Sequence, residues 1–174
     1  MENLKVMMMT LMMCLMTMVS FGQTPEMNLD KVFESVESKD ILYSKSKIFI
    51  SEMFKSAKDV IQLDDKENGI ILVKGVIKES FSYSLQSLDY YFSFTMKIYV
   101  KDNKYRIVIS DVYNSSAPYK YNKILINNYR GAFRDNLPKK KYWELMESLS
   151  KNINNFSISF ENYMKKEFII NDDW

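Results

Sequence analysis

Asp64, Asp65, Glu67 and Asn68, followed by Gly69, form the densest run of oxygen donors in the chain. Oxygen-rich loops that contain a glycine suit calcium. The spacing departs from that pattern. With Asp64 as the first loop position, Lys66 stands where a ligand belongs and Gly75 where the bidentate glutamate should be. The run therefore reads as a solvated hairpin turn. A second chemistry that this chain has the residue types for is glycoside hydrolysis, which needs one carboxyl as acid and another as base or nucleophile, roughly 5 to 9.5 Å apart. Glu79 and Asp89 are an example of such a pair, although acidic residues on solvated strand ends give the same sequence signal. A third constellation, Tyr91, Lys97, Tyr99 and Arg106, suits recognition, because tyrosine and arginine recur in binding hot spots.

What is missing narrows the chemistry further. The 174 residues contain no histidine and one cysteine, Cys14. Ser-His-Asp and Cys-His couples, imidazole acid-base catalysis and histidine-ligated metals are excluded. Loss of Cys14 with a cleaved leader would also remove thiol nucleophiles, cysteine-rich zinc sites, iron-sulfur clusters and disulfides. Gly69, Gly75 and Gly131 are not in a glycine-rich arrangement and none stands beside Lys-Ser or Lys-Thr, so no phosphate loop is present. No cofactor and no metal is expected. Lys139, Lys140 and Lys141, beside Tyr142 and Trp143, offer a basic and aromatic contact for an anionic surface, but at the start of an amphipathic helix they read first as a solvated face.

The elements that must position these residues begin after a leader. Lys5 precedes an apolar run from Val6 to Val19, and Ser20 and Gly22 are the small residues of a cleavage site before Gln23. The run is shorter than the roughly 20 residues of a spanning helix, and no basic stop-transfer flank follows it. The expectation is a signal peptide over 1–22, a linker over 23–30, a single domain over 31–168 and a short tail over 169–174. The mature protein would be exported, periplasmic or extracellular, with no transmembrane span. About 150 residues is one domain's worth of chain, and the 47 % hydrophobic and 26 % charged composition is that of a globular protein. The formal charge of +2 argues against a dedicated nucleic-acid binder.

Within the domain, Lys31 to Val36 is expected to be a strand with Val32, Phe33 and Val36 as its apolar members. Ser38 is the expected N-cap of a helix whose buried face repeats Ile41, Leu42, Ile48, Phe49, Met53 and Phe54. Asp59 to Leu63 and Gly69 to Ile77 predict a β-hairpin turning at Asn68-Gly69. Gly75 marks a bulge or a close backbone approach in its second strand. Phe81, Tyr83 and Leu85 suggest a further strand. Tyr90 to Val100 alternates strictly, and a two-residue turn at Asp102-Asn103 sets Val100 opposite Tyr105, Ile98 opposite Ile107 and Met96 opposite Ile109 on the inner side. On the outer side, Tyr99 then meets Arg106, Lys97 meets Val108 and Thr95 meets Ser110. From Tyr113 to Pro138 the pattern is loop-like, with Lys123 to Asn127 as a possible extra edge strand. A C-terminal helix follows through Tyr142, Leu145, Met146, Leu149, Ile153, Phe156 and Phe160, with Asn152, Asn154 and Asn155 as points where it can fray. The order is strand, helix, antiparallel strands, helix. This is an α+β fold with two helices on one face of an antiparallel sheet and the other face open to solvent.

That order, with Ser38-Lys39-Asp40-Ile41, Val60-Ile61-Gln62, Asp64 to Gly69, Lys74-Gly75 and Val100-Lys101-Asp102-Asn103-Lys104-Tyr105-Arg106, resembles the bacterial domain of unknown function described as having a TBP-like fold. The resemblance spans Val32 to Asp111. It implies the fold and, since such proteins are mostly exported from Bacteroidota-type bacteria, the compartment. It carries no activity, and likeness to TATA-binding protein does not license DNA binding, so no nucleic-acid partner is expected. The reading that remains is a non-catalytic secreted or periplasmic binding module of unknown function. It would dock an envelope protein or glycan through Tyr91, Lys97, Tyr99 and Arg106; the bland account of the same face is cross-strand stabilisation. The alternatives are a carboxylate-dependent hydrolase and a structural subunit of a cell-surface assembly. Partner identity and oligomeric state stay open.

Overall fold

The computed structural model describes residues 26–83, 86–116 and 138–167. The expected leader, the extra strand at Lys123 to Asn127 and the C-terminal tail lie outside the described residues. Five strands form one antiparallel sheet in the order β1-β5-β4-β3-β2: β1 Leu29–Glu34, β2 Ile61–Asp65, β3 Ile70–Tyr83, β4 Gln86–Lys101 and β5 Lys104–Asn114. Helix α1, Lys39–Met53, and helix α3, Lys139–Met164, pack on one face, and α2, Ala57–Val60, is a single turn leading into β2.

The β4–β5 register is the one the alternation dictates. Val100 pairs with Tyr105, Ile98 with Ile107 and Met96 with Ile109, and all six are buried. Two residues per period let one strand wall a core on one side and meet water on the other. A bulge between Ser93 and Thr95, with Asp111 at φ 53°, resets the phase so that Val112 also points inward. β3 is longer than the sequence suggests: the hairpin strand and the Phe81 strand are one continuous 14-residue element, paired with β4 from Ile70↔Tyr99 to Tyr83↔Gln86.

Several expectations are corrected at the helices and the edge. β1 starts at Leu29, inside the expected linker, because Leu29 is buried and pairs with Ile109. This phase turns Val32 outward, 59 % exposed, and leaves Val36 beyond the strand and outside the core. In α1 the buried face is Leu42, Tyr43, Lys45, Ser46, Phe49 and Ile50, whereas Ile41, Ile48 and Met53 are exposed. A lysine and a serine occupy core positions because each finds backbone acceptors. Lys45 Nζ donates to Met164 O at 3.0 Å and Lys166 O at 2.5 Å, and Ser46 Oγ donates to Leu42 O at 2.8 Å. The segment before β2 opens as a helical turn, not a strand.

In α3 the expected seam is buried at every position except half-buried Phe156, and each fully buried aliphatic or phenyl side chain contributes roughly 1.5–3 kcal/mol. Its asparagines do not break it. Asn152 Nδ2 donates to Glu79 Oε1 at 2.5 Å, and Asn154 Oδ1 accepts from Lys31 Nζ at 2.9 Å, so both side chains tie the helix to the sheet. Phe49 anchors the helix pair through ring contacts with Phe156, Phe160 and Tyr163.

Candidate functional site

With both helices on one side, the opposite face of the sheet is built from alternate residues of every strand. Tyr91, Lys97, Tyr99 and Arg106 all lie on it, in the register expected: Tyr99 opposite Arg106, Lys97 opposite Val108 and Thr95 opposite Ser110. The Arg106 guanidinium carbon sits 5.8 Å from the Tyr99 ring centroid, a cation-π contact. Lys97, Tyr99 and Arg106 are neighbours. Tyr91 is not with them, since eight residues of extended chain separate it from Tyr99 by about 27 Å.

Arg106 has a second task that the sequence pattern did not disclose. Its Nε donates to Asp30 Oδ1 at 2.7 Å and its Nη2 to Asp30 Oδ2 at 2.5 Å, a two-pronged bridge from β5 to β1. Hydrogen bonding by Arg106 holds the Asp30 carboxyl below the usual range, and the same bond raises the guanidinium. At the far end, Lys78 pairs with Asp89 at 2.8 Å, and Ser80 Oγ also donates to that carboxylate at 2.8 Å. Asp89 is lowered by the bond from Lys78 first and from Ser80 second.

The face also carries residues that sequence reasoning left unassigned. Alternation along β3 places Ile70, Leu72, Lys74, Val76 and Lys78 on it, opposite Tyr99, Lys97, Thr95, Ser93 and Tyr91. Val76 is 56 % and Tyr91 42 % exposed. The signal was available in the period-two pattern on either side of Gly75; only the register across to β4 was needed to read it.

The other constellations resolve into structure. Glu79 and Asp89 point to opposite sides of the sheet. Glu79 is buried beneath α3, accepting from Ser148 Oγ at 3.0 Å and Asn152 Nδ2 at 2.5 Å, while Asp89 is on the helix-free face. They do not converge on one bond. In the acidic run, Asp64 turns toward α1, where it accepts from the Tyr43 hydroxyl and pairs with Lys47. Those two bonds, Lys47 first, lower the Asp64 carboxyl, and burial together with Asp64 pushes the Tyr43 phenol up. Asp65 instead accepts from Asn68 N at 3.0 Å and Nδ2 at 2.8 Å, closing the turn whose Gly69 takes φ 67°. Of the Lys139 to Trp143 cluster, Tyr142 is in the core, Trp143 is 37 % exposed, and Lys141 pairs with Glu144 at 2.5 Å. Among the described residues no helix is long and apolar enough to cross a membrane.

Comparison with known proteins gives the fold a family. Two solved structures are similar to this chain. One is a family protein from Bacteroides ovatus, 15 % identical, with a TM-score of 0.53 over 80 % of this chain and 86 % of that one. The other is a TBP-like protein from Parabacteroides distasonis, also 15 % identical, with a TM-score of 0.59 over 84 % of this chain and 97 % of that one. At this identity the likeness is one of fold. No curated protein matches the chain. The family model matched by the sequence covers β1 through β5, the whole sheet with α1. Residues 30–114 of this chain match the model of the family described as "Domain of unknown function (DUF4468) with TBP-like fold".

Proposed function

We propose that this protein is a non-catalytic binding module, exported from the cytoplasm, that holds its partner against the helix-free face of its sheet. The observation that carries this reading is the composition of that face. Tyr91 and Val76 are exposed at one end, Tyr99 and Arg106 stand at the other, and lysines lie between on the two central strands. Aromatic, arginine and aliphatic groups together on an open surface are what interface centres use. The carboxylates that sequence reasoning offered for hydrolysis are divided between the two faces, which favours binding over catalysis. Export rests on the n-region, apolar run and small-residue end of residues 1–22.

The test is affinity capture from envelope extracts with the protein and with a folded Lys97→Ala, Tyr99→Ala variant. Arg106 is left in place because its loss would also release Asp30 and loosen the edge strand. A saturable partner held by the parent and lost by the variant is the expected result. Equal capture by both would remove the face from consideration. Export is tested by fractionation, with a mature N-terminus at Gln23 expected outside the cytoplasm.

A further inference from the structure

The charges of the helix-free face do not balance. Arg106 and Lys78 are matched by Asp30 and Asp89. Lys74, Lys97, Lys101 and Lys104 are on the same face, and among the described residues none has a carboxylate within ion-pair distance. Lys101 and Lys104 are moreover direct cross-strand partners, an arrangement in which like charges destabilise the pair. Lys74 is opposite Thr95, two residues from Lys97, so these two are diagonal neighbours about 7–8 Å apart. Lys97 lies about 14 Å along the strand from Lys101. The result is a cationic track over the two central strands and the β4–β5 turn, faced at its end by Glu34 of β1, which is opposite Lys104 but outside ion-pair distance.

Between the cations, apolar side chains alternate with Thr95 and Ser110. Lys97 is flanked by Leu72 on β3 and Val108 on β5, and Tyr99 by Ile70 and Arg106. We propose that the partner is an acidic polypeptide, its carboxylates against Lys74, Lys97, Lys101 and Lys104 and its apolar side chains against Leu72, Val108 and Tyr99. This rests on the binding-module reading and gives the partner a chemistry. Charge complementarity selects an anion, and interleaved aliphatic groups select a polypeptide over a polysaccharide, which has no comparable apolar side chains to set against them. A lipid surface is disfavoured because Leu72 and Val108 are half-buried within the sheet, while the more exposed Val32 and Leu63 stand on opposite edge strands.

The probe is a random glutamate-tyrosine copolymer, titrated into isotope-labelled protein obtained by expressing the whole chain. Amide shifts are expected along Lys74, Lys97, Tyr99 and Lys101, with affinity falling steeply as salt rises. Lys74→Ala, Lys97→Ala should weaken binding about tenfold, and a control Lys139→Ala, Lys140→Ala on the helix side less than about twofold. Equal loss in the control would overturn the proposal, since any surface lysines would then suffice. Tighter binding of polygalacturonate or of phosphatidylglycerol vesicles on the same face would discard the polypeptide and keep the face. Shifts confined to the helix side would discard both.

Discussion

The Asp102 carboxylate accepts a hydrogen bond from the backbone N–H of Lys39 at 2.7 Å, so the turn between β4 and β5 caps the first helix. Ser38 occupies the N-cap position, but its side chain makes no capping bond. Two backbone bonds, Asn103 N to Glu37 O at 3.0 Å and Ser35 N to Asn103 O at 2.8 Å, fix the turn there. Asp102→Ala is therefore expected to cost about 1 kcal/mol in urea unfolding and Ser38→Ala a few tenths, the reverse of what local sequence suggests. A larger loss from Ser38→Ala would show that the cap is local after all.

Lys45 is 1 % exposed and joins three elements: its ammonium meets Glu37 Oε1 at 2.5 Å and the carbonyls of Met164 and Lys166 at the end of α3. A cation there also suits the negative end of the helix dipole. Lys45→Met keeps most of the volume but strands a carboxylate and two carbonyls, so a loss of about 3 kcal/mol is expected. Hydrogen exchange should show the last turn of α3 opening first. A neutral substitution would mean that water replaces the ammonium without cost.

Gly75 lies directly opposite Phe94, whose ring covers it. A Cβ at Gly75 would stand 2.4 Å from Phe94 Cζ and 2.9 Å from Phe54 Cε1. Gly75→Ala is expected to cost about 1–3 kcal/mol. The cost should fall by at least about 1 kcal/mol in a Phe94→Leu background, where the ring edge is gone. Additive losses in that double-mutant cycle would place the strain in the backbone and not in the ring.

How far the sequence reached follows from how local each signal was. The β4–β5 hairpin could be read residue by residue, because alternation and a two-residue turn fix the register with no outside information. Tyr99 and Arg106 came with it. The Asp30 bridge did not, because the pairing of β1 with β5 joins segments 76 residues apart. The buried face of α1 was legible only in part for the same reason: Leu42 and Phe49 are inside as expected, but Lys45 is inside because Glu37 and the carbonyls at the end of α3 meet its ammonium, which no local periodicity contains. Lys74 and Val76 went unassigned on the face for want of the β3–β4 register.

Tyr105 offers the sharpest pH test. Its ring stacks on Phe33 at 5.0 Å and meets Phe160 edge-on at 5.6 Å, yet its hydroxyl is buried without a hydrogen-bond partner among the described residues. Burial, helped by the nearby Glu161 and Glu37, pushes the phenol up to about 12 from an ordinary value near 10. The unfolded chain therefore releases this proton between about pH 10 and 12 while the folded protein keeps it. Fewer protons on the unfolded side mean that stability falls as pH rises through that window, by about 1.4 kcal/mol per pH unit for one group. Tyr43, Tyr90, Tyr142 and Tyr163 are raised as well, so the total decline is steeper, and only the difference between parent and variant isolates Tyr105. Tyr105→Phe should lessen the decline across that window and, by deleting an unpaired buried hydroxyl, raise stability at neutral pH by about 1 kcal/mol. Parallel pH profiles for the two proteins would mean that the hydroxyl ionises in the folded state as freely as in water, and the buried, unpartnered phenol would have to be given up.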